Sequence, residues 1–164
     1  MHDTLGVRRN ERETLQGALD WYRAVVERKV DGLTLDEATR VLTPTGLSIL
    51  GVIKHLASVE RDWFREIFAG EGIASIEKGD DNSADFVIQP ADTVESILGS
   101  YRDETERSRK IAAGSSLDSL SARETSVREH VSLRWVLVHM LEETARHVGH
   151  MDLMREEIDG RTGD

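Results

Sequence analysis

Apolar residues recur at three- and four-residue steps through four long stretches of the chain, the spacing of helices that each bury one face. After a loose lead-in over residues 1–9, Leu15, Ala18, Leu19, Tyr22, Val25 and Val26 set out a first helix that runs to about Lys29. Gly32 interrupts it. Thr34 and Glu37 then have the spacing of a capping box, which predicts a short helix from Leu35 to Val41, closed by Pro44 and Gly46. Ser48 is placed to cap a second long helix reaching about Ala69, with Ile49, Val52, Leu56, Val59, Trp63 and Ile67 inward and His55 on the flank.

From Gly70 to Pro90 the pattern gives way to glycine, aspartate, serine and asparagine. One alternating fragment around Phe86-Val87-Ile88 reads as extended. Thr93 caps a third long helix ending near Gly114, with Val94, Ile97, Leu98, Tyr101, Ser108 and Ile111 inward. A second polar loop reaches about His130, and the fourth long helix covers Ser132 to Asp159, followed by Gly160 and a tail over residues 160–164. These elements predict one all-α domain over residues 1–164, a four-helix bundle whose site lies on inward helix positions. Periodicity leaves the order of up and down helices open.

The last helix breaks the rule that the others keep. Leu133, Val136, Met140, Thr144, Met151, Met154 and Ile158 form its inward stripe, and His147 falls near the middle. Glu143 lies one turn earlier, displaced from the stripe centre by about 60°, whereas His139 and His150 lie about 80 to 100° away. A carboxylate and an imidazole turned toward a core need a physical reason. One is a divalent metal held by Glu143 and His147 together with His55 from the second helix, with coordination positions left open for water or substrate. The other is a structural hydrogen bond between His147 and Glu143, with His55 merely flanking an interface. Pattern alone does not choose between them.

Around this pair, His150 is either a substrate contact or a helix-edge histidine, and His139 is a bystander. Arg146 and Arg155 are candidates for an anionic substrate or for surface ion pairs. Trp63, Trp135 and Tyr101 supply packing or an aromatic wall, and Asp62 and Glu66 are candidate partners for His55. A glycine-rich phosphate loop, an HExxH motif, a pair of Glu-x-x-His motifs and a serine elbow are all missing.

Composition narrows the chemistry further. With 31 acidic against 21 basic residues the net charge is -10, which argues against a nucleic-acid surface. There is no cysteine, so any thiol chemistry draws its thiol from outside the chain. No signal-peptide pattern and no run long enough to span a membrane occur, and a cytoplasmic location is the expectation.

Two segments, LSILGVIKHLASVERDWF from Leu47 to Phe64 and EETARHVGHMDLMRE from Glu142 to Glu156, resemble the DinB superfamily, and in particular its actinobacterial branch related to mycothiol-dependent transferases and isomerases. The likeness extends to LDWYRAVVERKVDGLT, Leu19 to Thr34. Members of that superfamily bind a divalent metal, often zinc or nickel, through a histidine on the second helix and a pair four residues apart on the last. Carried over, these positions are His55, Glu143 and His147. Where many members have histidine first and Gly-Gln after the second, this chain has Glu143 and Gly149-His150, a departure that bears on metal identity and affinity.

The resemblance also implies an up-down-down-up bundle, a homodimer, and a low-molecular-weight thiol such as mycothiol as cosubstrate. It implies a thiol S-transferase or isomerase acting on a small electrophile; from the residues themselves, His150, Arg146 and Trp63 are the candidate contacts to substrate or to the ligands. A metal-dependent hydrolase on the same site and a non-enzymatic stress-response or interaction protein are the alternatives.

Overall fold

The computed structural model describes residues 10–73 and 84–163. The expected lead-in over 1–9 and part of the first long loop lie outside the described residues. Helix α1 spans Glu11–Arg28, α2 Leu35–Thr39, α3 Ile49–Glu60, α4 Val94–Ala113 and α5 Leu133–Asp159. Among the described residues there is no strand, only an isolated bridge between Leu120 and Ser132.

Polar side chains set the helix ends where the sequence puts them. Asn10 and Thr34 form full capping boxes with Glu13 and Glu37, and Thr93 does the same with Ser96. Ser48 and Ser132 accept from the N–H groups of Gly51 and Trp135, and Gly160 closes α5 at φ 75°, a left-handed conformation that suits glycine.

Side-chain pairs fix the helix directions. Arg134 at the start of α5 reaches Glu11 at the start of α1, while Arg155 near the end of α5 donates to the carbonyls of Lys29 and Asp31 just beyond α1. Those two helices run parallel. Lys54 near the start of α3 meets Asp92 just before α4, and Arg65 further along meets Glu104, so α3 and α4 are parallel as well. Arg23 of α1 pairs with Glu60 of α3, and Arg102 and Arg109 of α4 pair with Glu27 and Asp20 of α1, each in antiparallel order. The bundle is therefore up-down-down-up.

Parallel α3 and α4 oblige the connection between them to return along the bundle. Its described end, Ala84–Phe86, is a single 3-10 turn packed on α3, not the extended fragment expected there. Lys54 fastens this segment by donating to the Val87 carbonyl and to Asp92. The approach is close enough that a Cβ at Gly51 would lie 2.5 Å from the Phe86 carbonyl oxygen.

One further departure concerns the second long helix. After Glu60 it continues as a π-helix over Arg61–Phe68, closed by the Ala69 N–H bonding to the Phe64 carbonyl. The wider turn rotates the register, so Phe64 and Phe68 are buried where Trp63 and Ile67 were expected. Buried apolar side chains divide into two clusters. One holds Val25, Val26, Leu50, Ile53 and Met151, and the other Leu19, Phe64, Phe68, Val136 and Met140. Between them lie two buried polar groups, the Arg23–Glu60 ion pair and the Glu143–His147 pair.

Candidate metal centre

Two helices bring His55, Glu143 and His147 together. Helix α5 presents Glu143 and His147 one turn apart, and antiparallel α3 presents His55 opposite them. The Nε2 atoms of both imidazoles converge on one carboxylate oxygen, Glu143 Oε1, at 3.2 Å from His55 and 3.1 Å from His147. One ligand atom from each of the three residues lies within 4.8 Å of the others. Glu143 and His147 are buried, and the His55 side chain is 13% exposed.

His55 faces a carboxylate on both sides. Its Nδ1 is 3.0 Å from Asp85 Oδ2 and its Nε2 meets Glu143. A neutral imidazole has one ring proton and can donate to only one of them. With that proton toward Asp85, a nitrogen lone pair and a carboxylate lone pair face each other at Glu143, and a cation between them relieves the conflict. The ordinary donor set for such a cation is two imidazoles and a carboxylate, with a carboxylate behind one imidazole. The residues present fit a divalent metal.

Without a cation, a proton on the His55 ring meets the same need, since an imidazolium donates to both carboxylates. Hydrogen bonds from His147 and His55 hold the Glu143 carboxyl well below its usual range, against the opposing effect of burial and with help from Arg146. For His55, burial favours the neutral ring, but the bonds to Asp85 and Glu143 outweigh it and raise the pKa.

Aromatic rings wall the site. Phe86 stacks on His55 at 4.0 Å between centroids, and His150 meets His147 edge-on at 5.2 Å. Arg146 pairs with the second oxygen of Glu143. Trp63 is elsewhere. It packs with Trp135 and with His139, which lies one turn before Glu143. Arg155 is buried and donates to the carbonyls of Lys29 and Asp31 beyond the end of α1. Neither Asp62 nor Glu66 is a partner of the His55 ring; Glu66 pairs with Arg123 and accepts from the Ile73 N–H.

Asp85 is the site residue that sequence reasoning missed. It carries no periodicity signal, because it sits on a loop; the nearest clue is that it precedes the lone aromatic of that polar stretch, Phe86. Its carboxylate is 3% exposed, and a buried acid on a connection implies a partner.

No curated protein matches the chain. The family model described as mycothiol-S-transferase matches residues 14–160. That match runs from the first turn of α1 to the cap of α5 and takes in His55, Asp85, Glu143 and His147, so the chain belongs to the mycothiol-S-transferase family.

Proposed function

We propose that the protein transfers a low-molecular-weight thiol, mycothiol, to a small electrophile at one divalent metal held by His55, Glu143 and His147. The observation that carries this reading is the convergence of three donor atoms on one point in a member of this family whose sequence has no cysteine. Two imidazoles and a carboxylate suit zinc, with nickel the second candidate. A cation held there lowers the pKa of a thiol bound beside it and makes thiolate available at neutral pH.

The chain's own residues prepare for that chemistry. Asp85 fixes the ring orientation of His55, and the stacked Phe86 keeps water from that side. Arg146 holds the second oxygen of Glu143 and leaves the first for the ligand set. His150, whose ring meets His147 edge-on, is near enough to touch what binds there.

The test combines metal analysis with turnover. Protein purified without added metal should contain close to one divalent ion per chain and should conjugate mycothiol to reactive halides, and His147→Ala should lose both. Conjugation that persists without metal would refute the reading. Turnover confined to an ester and amide panel would replace it with a hydrolase that uses bound water at the same residues.

A further inference from the structure

Beside His150 a groove of about 740 Å³ follows α5 toward its C-terminus. Val41, Leu42 and Leu47 form one wall, and Leu153 and Met154 form the other. His150 stands at its inner end, where the same ring meets His147 of the donor triad. Glu157 marks the outer end, and among the described residues it is the only charged side chain lining the groove.

We propose that this groove holds the apolar tail of an uncharged electrophile, with the reactive carbon at the His150 end. The proposal rests on the transferase reading above and names its substrate class. Three observations carry it. The volume falls in the range of pockets for small organic ligands. Val41 and Leu153 are 59% and 69% exposed, an apolar surface for which a bound hydrocarbon supplies the missing contact. Among the described lining residues the one charge is Glu157, which repels a carboxylated tail, with Arg40 held at its backbone carbonyl outside the lining. Seven helical steps lead from His150 to Glu157, about 10 Å of groove at the helical rise.

The reaction balances without a further reagent. The thiol proton goes to solvent, the sulfur forms a bond to carbon, and the carbon–halogen bond breaks as halide leaves with its electron pair. The product is a thioether.

A series of 1-bromoalkanes from bromoethane to bromohexane, assayed with mycothiol and the zinc-loaded protein, tests the assignment. The expected kcat/KM rises by about three- to fourfold per added methylene, and 6-bromohexanoate falls well below bromohexane. Leu153→Glu and Val41→Glu should each flatten that dependence, read as the ratio of bromohexane to bromoethane. Bromoethane turnover with no dependence on chain length overturns the groove assignment and leaves the transferase reading standing.

If no halide reacts, the transferase reading fails, and binding to metal-free protein decides the groove on its own. Resonance shifts at the Met154 methyl on adding 1-hexanol, lost in Leu153→Glu, support it; no shift overturns it.

Discussion

Asp85 and Gly51 together decide how His55 is presented. The carboxylate orients the ring, and the missing side chain at Gly51 lets the Phe86 carbonyl come close enough for Asp85 to reach. Asp85→Asn keeps the shape but removes the charge behind the imidazole. Metal affinity should fall by about 10- to 100-fold in competition with a chromophoric chelator, with the helical circular dichroism unchanged. Gly51→Ala puts a methyl against a backbone oxygen rather than a flexible side chain. It should cost about 1–3 kcal/mol in urea denaturation and weaken metal binding as well.

The candidate ligands were legible in the sequence, because a polar residue at the centre of an apolar stripe stands out against a strong periodic background. The residues that position them were not. A loop aspartate and a glycine inside a helix acquire their roles from contacts thirty or more residues away, which no local pattern encodes.

At the scale of elements, α3 changes from α to π immediately after Glu60, the residue that pairs with Arg23 through two bonds of 2.7 Å. Several helix starts were legible from their caps, since Thr and Ser before an apolar run mark N-termini directly, whereas the Asn10 cap of α1 was not read. The π turn was not, because a single extra residue per turn leaves the average spacing nearly unaltered while rotating Phe64 and Phe68 inward. The ion pair was missed because charge on a helix is ordinarily exposed. Glu60→Leu leaves the buried Arg23 guanidinium with Asp20 as its remaining carboxylate partner and should cost about 3 kcal/mol by chemical denaturation. Adding Arg23→Met to that variant should recover much of the loss.

The segment before α4 carries its own pH dependence. Burial pushes the Asp92 carboxyl up, but the Lys54 ammonium and the Gln89 N–H outweigh burial and hold it below its ordinary range. A depressed carboxylate adds stability that is present above its unfolded pKa and lost as pH falls through the folded value. Amide exchange around Phe86 to Ile88 should therefore accelerate as pH drops below about 4, after correction for intrinsic exchange, and Lys54→Met should remove that dependence. Unchanged protection down to pH 2.5 would show that this pair does not fasten the segment.

For the whole molecule, the order of helices has a consequence in time. The up-down-down-up arrangement sends the connection between α3 and α4 back along the bundle, and its described end delivers Asp85 to His55. Helices form early from local contacts, whereas pairing separated segments incurs loop-closure entropy and comes later. Two of the candidate ligands share one helix, but His55 and its carboxylate depend on long-range docking. During refolding, tight metal capture should lag behind the recovery of helical signal, and in Asp85→Asn the high-affinity phase should be absent. A stopped-flow experiment with a metal indicator and circular dichroism in parallel would detect the lag; simultaneous recovery of both signals would contradict it. Metal uptake would then serve as a clock for the arrival of that returning segment.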